Sequence, residues 1–198
     1  MRLKAHGVSV IFCAVLFFAR LGFAATGFAS GEDGFAAAGE IPGKHFTVLY
    51  ESGVDIASVA EQLNIGSTDA LLAGQAPVAG LSRQQEFSRM LDTLFIRVCT
   101  ILDMPLYSFQ GTLKLCRDDE RLKGVYAELF GRNLAPTRPF YAYALNTIYV
   151  SAQNCKSGLL GHEIAHAVMS RYFVVLPSVK IQEVLSGYVE YQLRKTAE

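Results

Sequence analysis

The stretch Ser157-Gly158-Leu159-Leu160-Gly161-His162-Glu163-Ile164-Ala165-His166-Ala167-Val168 holds an H-E-x-x-H motif inside an apolar run. On a helix, residues four apart stand one turn above each other, so His162 and His166 project from one face. Two imidazoles so placed can grip one zinc ion, with Glu163 beside them as the base for a metal-activated water. The chain has four histidines, and two of them fall at this spacing. Ser157 is the expected cap of the helix, which is predicted to run to about Phe173. Pro177 and Ser178 then announce a last helix from Val179 to near Lys195.

A catalytic zinc site takes a third protein ligand and leaves the fourth position to water. A histidine six residues past His166 would mark a metzincin, but Tyr172 stands there, and Met169 occupies the glycine position of that pattern. No histidine or aspartate follows the motif, so the oxygen ligands left downstream are Glu183, Glu190 and the terminal Glu198. Glu183 and Glu190, seven residues apart, share nearly one side of the last helix. Small residues at Ser186 and Gly187 would let that helix approach the motif helix near Glu183, so Glu183 is the expected third ligand. Glu190 reads either as an acceptor for the far nitrogen of a ligand imidazole or, more simply, as a solvated charge.

The pattern of residues 161–167, then Leu176-Pro177, then Glu183-Val184-Leu185-Ser186-Gly187-Tyr188, resembles the gluzincin metallopeptidases. The likeness is to the small exported peptidase-MA-like proteins. Their pattern has E-G-x-A-x-Y on the second helix; this chain keeps Glu183, Ser186 and Tyr188 but has Val184 in place of the glycine. The specific part of the resemblance spans residues 161–188. It implies a small gluzincin-like domain with a mixed sheet, an H-E-x-x-H helix and a glutamate helix. It also implies zinc as cofactor, held by His162, His166 and Glu183, with Glu163 catalysing hydrolysis of a peptide or protein substrate. A tyrosine often steadies the developing oxyanion in that family. Tyr188, Tyr172 and Tyr149 are the candidates here, although the tyrosines as a group read first as packing residues. The resemblance further makes Asn146–Ser151 an edge strand beside the cleft, where Tyr143–Ser151 would take an extended peptide by strand addition.

Working back along the chain, Phe140–Ser151 is dense in Tyr, Ile and Val and is predicted as one strand. Thr112–Cys116 and His45–Tyr50 read as two more, with His45 at the surface. Asp55 caps a short helix to about Leu63, and residues 65–80 read as a loop with a helical turn. Phe87, Met90, Leu91, Leu94, Phe95, Val98, Ile101 and Leu102 recur in steps of three and four, a helix capped by Ser82 and closed by Pro105. The charged run Arg117–Lys123, with Asp118, Asp119 and Glu120 as a solvated loop, leads into a short helix ending by Gly131. Pro136 and Pro139 mark a loop. Strand, helix, helix, strand, helix, strand, helix, helix makes an α+β domain over residues 43–198.

Met1, Arg2 and Lys4 precede an apolar run from Val8 to Ala19, and small residues end at Ala24. This is the pattern of a signal peptide over residues 1–24, with an uncleaved anchor as the alternative suggested by Arg20. Glycine-rich residues 25–42 read as a flexible leader. The expected location is therefore periplasmic or secreted, with no membrane contact unless the segment stays uncleaved. Loss of Arg2, Lys4 and Arg20 takes the 18 basic residues to 15 against 18 acidic ones, a formal net charge of −3. No Lys/Arg run remains, which argues against a nucleic-acid partner. In an oxidising compartment, Cys116 and Cys155, each following a strand, are the expected disulfide pair, and Cys99 is expected in the core. Two functions fit the sequence: a zinc metallopeptidase, or a non-catalytic or zinc-stabilised binding domain acting in envelope assembly or partner recognition. A protein partner that completes the cleft is compatible with either.

Overall fold

Alternating side chains make Phe46–Tyr50 (β2), Gly111–Cys116 (β3) and Thr147–Ser151 (β5) the parallel centre of a mixed sheet. The short strands Gly39–Ile41 (β1) and Phe140–Ala142 (β4) pair antiparallel on its edges, giving the order β1-β2-β3-β5-β4. This computed structural model describes residues 33–76, 78–132 and 138–195. Six helices complete it: Ile56–Leu63 (α1), Ser67–Leu72 (α2), Arg83–Leu102 (α3), Asp119–Phe130 (α4), Ser157–Tyr172 (α5) and Val179–Lys195 (α6). The class is α+β. Among the described residues, no helix is long and apolar enough to cross a membrane.

Successive strand residues point to opposite faces, and the core divides accordingly. Val48, Leu113, Leu115, Ile148 and Val150 join residues of α1, α3, α5 and α6 in the main core. Cys116 and Tyr149 point the other way, against Leu122 and Val125 of α4 and Phe140 of β4. The helices start where polar caps allow. Asp55 accepts from the Ala57 N–H, Ser82 and Gln85 cap α3 reciprocally, and Asp118 accepts from the Arg121 N–H. Each such cap contributes about 1 kcal/mol.

Several expectations are corrected. The supposed leader contributes β1, which pairs with β2, and Asp33 is bonded to Lys114 and Tyr149, so ordered chain begins well before Lys44. The signal segment, its cleavage point and residues 25–32 lie outside the described residues, as does Pro136. The single strand expected over Phe140–Ser151 is a hairpin: Tyr143–Leu145 forms a 3₁₀ turn and Asn146 takes a left-handed conformation (φ 49°). That hairpin places β5 inside the sheet, so the edge strand is β4. His45 is buried, stacked on Phe95 with ring centroids 4.2 Å apart. Asp118, Asp119 and Glu120 form the cap and first turn of α4. Ser157 is the first residue of α5, and Lys156 before it offers no side-chain cap.

The expected Cys116–Cys155 disulfide is also corrected. Cys99, Cys116 and Cys155 are all free and buried. Cys116 packs on the α4 side of the sheet and Cys155 in the main core, so the sheet separates the two. Burial pushes each of these two thiols up to about 12. Cys99 sits in the main core as expected.

Candidate functional site

The site is set by how closely α5 and α6 pack. A Cβ placed on Gly161 would meet Leu193 Cδ1 at 2.1 Å, and one on Gly158 would meet Arg194 Cγ at 3.0 Å. A side chain at Gly161 would therefore have to push the end of Leu193 aside. The reverse expectation, that Gly187 makes room, is corrected: Gly187 faces open space, and a Cβ there would have no neighbour within 4 Å. Ser186 does lie in the interface, fully buried, its hydroxyl without a hydrogen-bond partner. Leu160, Ile164, Ala165, Val168 and Met169 anchor α5 in the core and fix the direction of the remaining face.

That face carries His162 and His166, with ring centroids 5.1 Å apart. Glu183 reaches across from α6: its Oε2 lies 3.5 Å from His162 Nε2 and its Oε1 lies 3.4 Å from His166 Nε2. One ligand atom from each of the three residues fits within a 4.8 Å span. Ligands on a tetrahedral zinc with bonds of 2.0–2.1 Å stand about 3.3 Å apart. The two carboxylate-to-imidazole spacings lie near that value but run to different oxygens of Glu183, so the three residues form a group that could hold a metal ion. Burial, and the neighbouring His162, hold His166 below the usual histidine range, which favours the neutral ring with one nitrogen lone pair free.

Glu190 is not the solvated charge that the simpler reading made it. Its side chain is only 12% exposed and its Oε2 lies 3.2 Å from His162 Nδ1, the nitrogen turned away from Glu183. Nδ1 is buried and forms no hydrogen bond of good geometry, so Glu190 is its nearby acceptor in waiting. Arg194, one turn on, pairs with the other oxygen of Glu190.

Glu163 points into a cleft of about 550 Å³ that also contains His162, His166 and Glu183. Burial pushes its carboxyl up to about 8, helped by the charges of Glu183 and Glu190. The Tyr141 N–H and the charge of Arg138 pull the other way. The tyrosine expectations fail here. Tyr149 is fully buried on the α4 side of the sheet, its hydroxyl donating to Asp33, and burial raises it well above the usual tyrosine range. Tyr172 and Tyr188 are exposed, and neither lines the cleft. The tyrosines that do are Tyr126, Tyr141 and Tyr143, all brought there by α4 and the β4 hairpin. Tyr141 donates to Asn146 Oδ1 at 3.0 Å and lies 3.1 Å from Ser170 Oγ.

Sequence reasoning missed Tyr141, Arg132, Arg138, Ser170 and Gln182, which also line the cleft, and placed Tyr143 beside it only as part of a peptide-binding strand. The turn at Asn146 was the available signal, because asparagine tolerates the left-handed conformation that a tight turn needs. Comparison with known protein families, curated proteins and solved structures yields no match.

Proposed function

We propose that this chain is a zinc-dependent peptidase with a gluzincin-like fold, exported from the cytoplasm. The observation that carries the reading is the convergence of His162 Nε2 and His166 Nε2 on the two oxygens of Glu183, with Glu163 in the same cleft. Bound there, zinc would supply a Lewis acid that activates water and polarises a carbonyl. The chain's own residues do the rest. The imidazoles present Nε2 inward because the α5 backbone holds both rings on one face. Glu163 accepts a proton on its carboxylate as water attacks the peptide carbon and returns it to the departing amine. Tyr143, exposed in the cleft wall, supplies a hydroxyl that can face a developing oxyanion.

Glu163→Gln tests the assignment, because the amide keeps the size of the side chain and loses the base. On a proteome-derived peptide library, the variant should keep zinc and lose about 100-fold or more of the cleavage rate. Undiminished cleavage would refute Glu163 as the base.

One observation favours the second reading, a partner-binding domain. The face of α6 turned away from α5 exposes Ile181, Val184, Tyr188 and Tyr191 at 51%, 64%, 49% and 61%. Their spacing of three, four and three residues makes one apolar stripe along the helix. A partner covering that stripe is compatible with catalysis. It would replace catalysis only if zinc-loaded protein cleaved nothing in the library.

A further inference from the structure

The cleft beside Glu163 has two unlike walls. The α5–α6 side is apolar at Leu176 and Val179, whereas the α4 and β4 side combines aromatic rings with two arginines, Arg132 and Arg138. The rings form a packed set: Tyr126 lies 4.7 Å from Phe130 and 5.0 Å, edge-on, from Phe140. Arg132 is braced by that set, its guanidinium carbon 5.8 Å from the centre of the Tyr126 ring. Such a contact orients a guanidinium without neutralising it. Arg138 makes no hydrogen bond or ion pair with the described residues, yet its charge is felt at the carboxyl of Glu163.

The charges of this cleft do not balance. Its lining carboxylates are Glu163 and Glu183, both committed to the metal centre. A dication there would offset those two, and among the described residues that line the cleft no further acid then balances the two guanidinium charges. Guanidinium pairs with carboxylate through two parallel N–H···O bonds, shorter and stronger than neutral ones. A substrate that brings a carboxylate satisfies this wall, and one that brings an amine is repelled by it.

We infer that the cleft selects peptides bearing a carboxylate next to the bond to be cut, with Arg138 as its direct partner and Arg132 as support. The inference rests on the peptidase reading of the same site. The carboxylate has two possible sources, an acidic side chain or the free C-terminus of the peptide, and both present the same fork-shaped acceptor.

Binding can be measured without turnover. The probe is a set of N-acetylated hexapeptides of alanine and phenylalanine that differ at one central position, titrated into zinc-loaded, full-length Glu163→Gln. Three carry glutamate, glutamine or lysine and end in an amide; a fourth carries glutamine and ends in a free carboxylate. The glutamate peptide or the free-ended peptide should bind about tenfold tighter than the amidated glutamine peptide, with lysine weakest, as one charged hydrogen-bonded pair warrants. Whichever of the two shows the gain identifies the source. Adding Arg138→Gln should shrink the gain to about twofold or less, and Arg138→Lys should restore part of it, with zinc content equal throughout. Equal affinity for all four peptides, including no binding by any, overturns the inference. So does a preference that survives loss of both arginines. If the glutamate peptide binds with the expected preference but the unaltered chain fails to cut it, the peptidase reading falls and the selectivity of the cleft stands.

Discussion

Among the described residues, the clusters of ionisable side chains on the α4 side of the sheet and between α5 and α6 are built on opposite plans. On the α4 side of the sheet, Asp33 pairs with Lys114 and accepts from Tyr149, and Glu51 takes Arg121 at 2.9 and 3.1 Å and the Arg117 N–H at 3.0 Å. Each carboxylate there has its own cation. Between α5 and α6, Glu163, Glu183 and Glu190 gather around two imidazoles, and among the described residues the direct cationic contact is Arg194 on Glu190. Asp33 is accordingly held below its ordinary value. Burial would raise it, but the bonds from Lys114, Tyr149 and the Phe35 N–H prevail. Glu163 is pushed up to about 8, by burial and by its acidic neighbours. A balanced cluster is a structural clasp. The unbalanced one is where the proposed zinc would sit.

The contrast can be broken at several points. After loss of Glu163 or of the proposed ligand Glu183, the largest effect is expected at Glu190, whose Oε2 lies 3.2 Å from His162 Nδ1 and would orient that imidazole on the proposed metal. Glu190→Gln should weaken zinc binding by about 10–100-fold, read by competition with a chromogenic chelator, while leaving the fold intact. Unchanged affinity would return Glu190 to the role of a plain partner for Arg194.

At the balanced cluster, Asp33→Asn should cost about 1–3 kcal/mol of stability at neutral pH and leave zinc affinity alone. The sign with pH follows from the lowered carboxyl. The folded value lies under the ordinary 3.8, so the contribution of Asp33 is complete above that pH and is lost as pH falls through the folded value. Urea melts of the two proteins should therefore differ by a constant amount from neutrality down to about pH 4 and converge below it. Divergence on acidification would contradict the clasp.

The smallest test compares two glycines on facing helices. Gly161→Ala should destabilise by about 1–3 kcal/mol, because its Cβ would meet Leu193 at 2.1 Å. Gly187→Ala, in open space, should stabilise α6 by up to about 1 kcal/mol. Equal shifts in thermal melts would mean that α5 and α6 do not pack as described.

The helices were largely legible in the sequence because caps and periodicity are local. Ser82 with Gln85, and the three-and-four spacing from Phe87 to Leu102, announce α3 without help from the rest of the chain. His162, His166 and Glu183 were legible because the spacing of the first two is local and few other ligands follow them. What stayed hidden depends on contacts distant in sequence. Pairing of β1 with β2 gives order to a glycine-rich stretch that has no local reason to be a strand. The two sides of the sheet keep Cys116 from Cys155, which strand ends alone do not reveal. The hairpin turn at Asn146 moves β4 to the edge and brings Tyr141 and Tyr143, rather than Tyr149, to the cleft. Gly161 serves helix packing rather than a turn, and only the position of Leu193 shows it.

The most direct test of the metal centre is the zinc content of the purified protein beside that of Glu183→Ala, by mass spectrometry after dialysis against a weak chelator. The account predicts close to one zinc per chain in the first and a large loss in the second, with Asp33→Asn keeping its metal. A chain that takes up no zinc when incubated with it, or a Glu183→Ala variant that holds zinc as tightly as the parent, would contradict it.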